Sequence, residues 1–482
     1  MWLPFIVLAL ASMISPALII VVAPLVLLSG LYVAWVTPIR QGLFAIVFLG
    51  LTVDAVGDGP WESPLAPFGS LLAFNLNQSL PIGVLALPGL AVILLAMLAV
   101  VIHRKLIGSR IDSAGRNDPA SPLLVSLAVA LGTVVFLVLL GVVRGGLFQM
   151  ARMQLQAFIL LLLMAYVSSM GLRNLRDYRT IGKIVVIAAV LRSGYVLWAN
   201  HVLTSGTDVV LEVAATHGDS VLFACALVLL VVRFVEMPSQ RTFMWMAVLT
   251  PWLAWGMIVN ARRLVWVEVA VALVLFAVIS RPSRMKRLLK RLGILCLPLV
   301  LGYVLVGWNT SSEAAIFAPV KTFKSVGDGE NDSSTLYRDL ENYNLLLTLR
   351  FRPLLGAGFG QPFVEFVKLP DISFFKEYPY LPHNSILGLW AFTGAIGFLG
   401  ISLPLIVAVF LASRSYQMAR TSEERLAAFM VIATLAIYLS HCWGDIGFSE
   451  RRTILLVGPA LAIAGQLASA TGAWRGRLLQ ST

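Results

Sequence analysis

Apolar runs of 17 to 25 residues recur from one end of the 482-residue chain to the other, separated by short polar or basic stretches. That is the length a bilayer imposes on a crossing helix. No segment alternates residue by residue as a membrane barrel strand does. The backbone must therefore satisfy its own hydrogen bonds in helices. The pattern predicts an all-α polytopic transmembrane bundle. Its expected spans are roughly 2–15, 17–36, 41–57, 81–102, 122–143, 154–172, 181–200, 219–235, 242–260, 264–280, 292–308, 384–412, 426–443 and 453–470. The first is short and can be half of a helix broken at Ser15-Pro16. The expected total is about 12–14 crossings.

The rhythm breaks once. From Asn309 to Pro382 about 74 residues contain no apolar run long enough to cross. They hold a turn-rich piece (Gly327 to Ser334) and an amphipathic run from Thr335 to Phe351. After these come Pro353 with three glycines (RPLLGAGFG), then aromatics around Phe374, Phe375, Tyr378 and Tyr380. Loops of this length in compact proteins are usually functional or disordered, and the apolar periodicity here predicts a folded, largely helical cap. The chain divides accordingly into 1–308 and 384–482 as the two parts of the bundle, with 309–383 as the large loop. No internal repeat is evident, which weakens a transporter built from inverted halves.

Composition agrees with the pattern. The chain is 59% hydrophobic and 12% charged, with mean hydropathy +0.88, against about 25% charged in ordinary soluble domains. The net charge of +12 does not point to nucleic acid, because Lys and Arg cluster in short loops between spans. Segments 103–121, 173–183, 281–291, 413–425 and the C-terminal tail are net basic, which assigns them to the cytoplasm. Segment 201–219, with Asp208, Glu212 and Asp219 and no Lys or Arg, then lies outside, and both termini lie inside. The six cations of Arg281 to Arg291 (RPSRMKRLLKR) read as a topology anchor or an anionic-lipid contact. The N-terminus has no basic n-region and no small-residue cleavage site, so it reads as a retained helix. Cys225, Cys296 and Cys442 form neither a disulfide framework nor a metal pattern.

Candidate chemistry gathers at the outer helix ends. In PHNSILGLWAFTGAIGFLG, Pro382 closes the loop and Asn384 or Ser385 can cap the following helix. His383 then sits at a helix N-terminus, where the positive dipole end disfavours imidazolium. Position alone leaves it either a general base or an interfacial cap. Gly394, Gly397 and Gly400, at three-residue spacing, predict one close-packed helix side. In Asn260-Ala261-Arg262-Arg263 two arginines occupy a turn assigned to the outside, where cations are unusual. A guanidinium fork there suits paired anionic oxygens such as phosphates, or snorkels to headgroups. Arg144 and Arg152 flank another outer turn. Arg192, deep in a span, is open between partner to a buried acid and phosphate ligand. Arg338, in YRDLENYN, has acids beside it and a solvated face as the plainer reading; Arg350 and Arg352 follow. His217 with Asp219, and His441 with Asp445, are weaker pairs. The five histidines show no metal-ligand spacing, and no nucleotide-binding or nucleophile-elbow motif occurs. No metal, cofactor or nucleic acid is expected.

Taken together these strings resemble a known family. His383-Asn384, nine residues, Gly394, two residues and Gly397 is similar to the His-Asn-x9-Gly-x-x-Gly signature of the O-antigen ligase and polymerase family. RFRPLLGAGFG resembles that family's Pro-Leu-Leu-Gly-x-Gly segment, with Arg338 where an Arg often precedes it, and Asn-Ala-Arg-Arg resembles its Ser-Arg-Gly turn with Arg262 at the Arg. Motif matching is confined to roughly 255–400. The turn departs from the family's in carrying Ala261 before the Arg and Arg263 after it. A second outer Arg expected before the helix starting near Asp219 is absent, and His217 stands in its neighbourhood.

The resemblance implies a GT-C-like membrane glycosyltransferase in the bacterial inner membrane, inverting and metal-independent, with its site facing the periplasm. Its partners would be a polyprenyl-diphosphate-linked glycan donor and a glycan or lipid A core acceptor. His383 would deprotonate the acceptor, and Arg262, Arg263 or Arg338 would bind the diphosphate. Arg192, His217, Asn384 and Asp445 are secondary candidates. A ligase is the favoured form. An O-antigen or exopolysaccharide polymerase is the alternative within the class, and a lipid-linked sugar transporter the alternative outside it.

Overall fold

A computed structural model describes the chain apart from residues 1–2, 16–17, 19–21, 23–27, 31, 34, 57–62, 80–85, 110, 113–117, 206–213, 311–314, 318, 322–323, 325–332, 371–377 and 475–482. Most of the expected span 17–36, the acids Asp208 and Glu212, most of the turn-rich piece after Gly327, and Phe374 and Phe375 lie outside the described residues. The described residues are mostly helical and include no strand.

In chain order the helices are α1 (Leu3–Ile14), α2 (Ile39–Thr52), α3 (Ala66–Ala73), α4 (Leu76–Ser79), α5 (Gly89–Leu106), α6 (Ser121–Val143), α7 (Phe148–Gly171), α8 (Leu175–Thr204), α9 (His217–Glu236), α10 (Gln240–Asn260), α11 (Leu264–Ile279), α12 (Arg284–Asn309), α13 (Ser333–Phe351), α14 (Ser385–Met418), α15 (Ser422–Gly444) and α16 (Arg451–Thr471). Ten are long and apolar enough to cross a membrane, and α2 and α11 are shorter apolar helices. The protein is an all-α, multi-pass membrane protein.

Small residues set the packing of the central helices. A side chain at Gly458 would collide with Met164 of α7, and one at Gly465 with Leu123 of α6, so these glycines let α16 lie close to both neighbours. Without a hydrophobic drive in lipid, such close approach is what holds membrane helices together. Around this seam α16, α9 and α7 are the most enclosed spans.

Ion pairs fall at two opposite poles. At one, Arg104 meets Asp112 at 2.6 Å, Arg40 meets Asp177 at 3.2 Å, Arg425 meets Glu236 at 2.8 Å, and Arg179 pairs with Glu423. This pole collects the segments read as basic loops. Helices run into these segments: α5 continues to Leu106, burying Arg104, and α12 starts at Arg284, so most of the basic stretch there forms its first two turns. The other pole carries the candidate site.

Candidate functional site

His383 stands one residue before the N-cap of α14. Asn384 is that cap, its side-chain oxygen accepting from the Leu387 amide at 3.0 Å. The Ser385 hydroxyl instead donates to the Asp445 carbonyl at 3.0 Å, tying α14 to the end of α15. The polar run at Thr335 to Phe351 forms α13, and two of its residues, Tyr337 and Glu341, meet His383. Glu341, with only 1% of its side chain exposed, accepts from the His383 amide at 2.8 Å and lies 3.3 Å from Nδ1. Tyr337 sets its ring edge-on to the imidazole, centroids 5.4 Å apart. Arg338 is half-buried, not solvated as its acidic neighbours suggested, and its Nε is buried without a hydrogen bond to a described residue.

An ionised carboxylate can only accept, so Glu341 fixes the proton of a neutral imidazole on Nδ1 and leaves Nε2 with a free lone pair. The ring is about a quarter exposed, and Nε2 makes no hydrogen bond to a described residue. Burial, reinforced by the Glu341 charge, pushes the Tyr337 hydroxyl above its ordinary pKa, so it stays a neutral phenol.

The glycine-rich segment below the cap lies in a break of α14. Gly394 has φ 62° and ψ −173°, which interrupts the helix instead of continuing the flat side that its spacing predicted. Freed backbone groups there find partners on the irregular segment: the Ala357 and Gly358 amides donate to the Ala391 and Phe392 carbonyls (3.1 and 2.8 Å), and the Ala395 and Ile396 amides donate to Pro353 and Leu354 (2.8 and 3.1 Å). Backbone meets backbone so closely that a Cβ at Gly356 would lie 2.3 Å from the Phe392 carbonyl carbon. Non-helical chain is tolerated at such depth because protein covers it. Arg144 adds a bond from Nη1 to the Gly356 carbonyl at 2.7 Å. Gly397 and Gly400 do face α6, against Leu137 and Thr133. The two glycine motifs are therefore one structural unit beneath His383.

Across the same pole, Ala261 takes a left-handed conformation (φ 54°) and turns the chain between α10 and α11. Asn260 anchors the turn, its amide donating to the Ser220 hydroxyl at 3.1 Å and the Thr216 carbonyl at 3.3 Å. Arg262 is half-buried and reaches the Ala215 carbonyl at 3.4 Å, whereas Arg263 is exposed. Two residues beyond Ala215, His217 Nδ1 lies 2.5 Å from Asp445 Oδ2. Burial alone would raise the Asp445 carboxyl. The bond and charge of His217 overcome it, helped by the Ile446 amide, and hold the group well below the carboxylate range. His217 thus connects through Asp445 to Ser385, two residues from His383, while Arg262 reaches the chain two residues before His217.

The pairs expected from sequence neighbours are exchanged. His217 bonds Asp445 rather than Asp219, and His441 bonds Glu268 of α11 at 3.0 Å rather than Asp445. Asp219 belongs to a closed group. Arg192 holds it through Nε at 2.8 Å and Nη2 at 2.9 Å and reaches Asp54 at 2.6 Å; Arg452 bonds both acids as well. Tyr195 lies under the Arg192 guanidinium, 4.6 Å from its centre. Of the two readings of Arg192, the structure shows the partner to buried acids. Asp54, Glu341, Glu268 and Arg452 were not singled out by sequence. Only Glu341 carried a signal, since it falls four residues after Tyr337 and three after Arg338, on one helical face. No group of three or more His, Cys, Asp or Glu among the described residues could hold a metal ion.

One pole of this helical membrane protein thus holds a carboxylate-held histidine at a helix mouth, half-buried arginines and a glycine-threaded break beneath the histidine. Residues 248–402 match the family model described as O-antigen ligase. The matched segment runs from α10 past the break in α14, so it contains the Arg262 turn, α13, the glycine-rich loop and His383. Over that segment the chain is similar to O-antigen ligases. No curated protein matches it.

Proposed function

We propose that the protein transfers a glycan from a polyprenyl-diphosphate carrier to an acceptor hydroxyl at the periplasmic face of the inner membrane, as a ligase. The observation that carries this reading is Glu341 holding both the amide and Nδ1 of His383, which leaves Nε2 as the acceptor of a proton. In the reaction the acceptor oxygen attacks the anomeric carbon as its bond to the diphosphate oxygen breaks, inverting that centre. Nε2 of His383 takes the hydroxyl proton, and the diphosphate departs on its lipid with the bonding pair. Charge accumulates on the leaving oxygens, so a cation placed there stabilises the transition state more than the ground state. Arg262 and Arg338, half-buried at the same pole, serve as those cations. The donor is already activated, so no nucleotide is consumed.

The basic segments support the orientation. They gather at the opposite pole, which the positive-inside bias assigns to the cytoplasm. His383→Ala should lower transfer in isolated membranes by about 10²–10⁴-fold, the usual contribution of a positioned base, with normal amounts of inserted protein. Unchanged glycan transfer by that variant would refute the base assignment.

A further inference from the structure

At the basic pole a cavity of about 640 Å³ opens between α8, α9, α10, α15 and α16. Its shape follows from how α8 and α10 cross. They touch where Gly256 admits Ser193 and where the Trp252 indole donates to the Val190 carbonyl at 3.1 Å. Toward the basic pole the space between them is no longer filled, and Val186, Val190, Leu229, Trp245, Leu249 and Met430 wall it. The volume falls within the roughly 300–1,000 Å³ of small-molecule sites, and the wall is almost wholly apolar.

The mouth is different. Lys183, Arg233 and Arg241 line it, are exposed, and form no ion pair with a described residue. The remaining cation there, Arg179, is paired with Glu423. Three uncompensated positive charges therefore ring one end of an apolar slot, and the slot is lined by Ile187 and Trp245, both exposed apolar side chains of candidate spans. A free phosphate would use the rim and leave the slot empty. A zwitterionic lipid would fill the slot but carry no net charge to the rim. We propose that this groove binds one anionic phospholipid of the leaflet on the basic side, its phosphate among Lys183, Arg233 and Arg241 and an acyl chain along the slot. The site is at the opposite pole from His383 and takes no part in the transfer.

The test uses the purified full-length protein in detergent, with native mass spectrometry and thermal unfolding as readouts. Phosphatidylglycerol should bind and raise the unfolding temperature. Phosphatidylethanolamine with the same acyl chains should bind at least tenfold less, and glycerol phosphate should not compete. Replacing Lys183, Arg233 and Arg241 together by Ala should weaken phosphatidylglycerol binding by about a hundredfold, from roughly a tenfold or smaller loss per surface cation. Leu249→Trp should reduce binding of both lipids by filling the slot. For the unaltered protein, raising salt should weaken the phosphatidylglycerol complex, because exposed charges are screened. Equal retention of the two lipids, competition by glycerol phosphate, or a salt-independent complex would overturn the proposal.

Discussion

Two groups of charged residues lie at the same pole, and they differ in how their hydrogen bonds close. In the first, Arg192 and Arg452 share Asp54 and Asp219, two positive charges against two negative, and all four are buried. In the second, among the described residues, Glu341 bonds only His383, the Nε of Arg338 is buried without a hydrogen bond, and Nε2 of His383 has no partner. Guanidinium and carboxylate are present in both. What separates a frame from a site is whether donors and acceptors are used up. Buried ionic groups are stable only when fully paired, so the incomplete set beside the quarter-exposed imidazole is the one we propose a substrate completes.

The sharpest way to break that contrast is to open the closed group. Arg192→Leu leaves Asp54 and Asp219 with Arg452 as their only buried cation. Removing one partner of such a set costs about 3–5 kcal/mol. The variant should unfold at a markedly lower temperature in detergent and accumulate poorly in membranes, whatever its activity. A protein of normal stability that has lost transfer would mean that Arg192 meets the substrate, and the distinction between the groups would fall.

Glu341→Gln probes the open group. Gln can still accept from the His383 amide, but its amide group can also donate, so Nδ1 is no longer held as the donor. Groups that orient a functional histidine are typically worth roughly ten- to a hundredfold in activity, so the maximal rate should fall by about that factor. The apparent affinity for the lipid-linked donor should not change, because Glu341 acts through His383. An unchanged rate would reduce Glu341 to a strut of the cap.

These contrasts show what could be read from the chain and what could not. The membrane helices, the helical stretch at Thr335 to Phe351 and the Asn384 cap were legible, because each rests on local periodicity or a local hydrogen bond. The placement of His383 just before a helix and of Arg262 in a turn was also legible, through their strings. The partners were not. His217 reaches Asp445, 228 residues away, and Arg192 reaches Asp54, 138 residues away, while the acids next to them in sequence, Asp219 for His217 and Asp445 for His441, point elsewhere. Gly394 misled for a related reason. A glycine at helical spacing looks like a contact surface, and only the approach of Pro353 to Gly358 from another segment makes it a break.

The turn at Arg262 offers the finest test, since it sets two adjacent arginines against each other. Ala261 in its left-handed conformation turns the chain so that successive side chains diverge. Arg262 lies against the Ala215 carbonyl, two residues from His217, whereas Arg263 is exposed. The bond from Arg262 to the Ala215 carbonyl, at 3.4 Å, is long for a guanidinium. Arg263 is exposed, where a charge contributes little to binding. Arg262→Ala should therefore reduce transfer by roughly ten- to a hundredfold, the worth of a hydrogen bond between charged groups, and Arg263→Ala should change it by less than about twofold. The reverse order would place the substrate on the other side of the turn, away from His217 and His383, and the open group would no longer describe a single site.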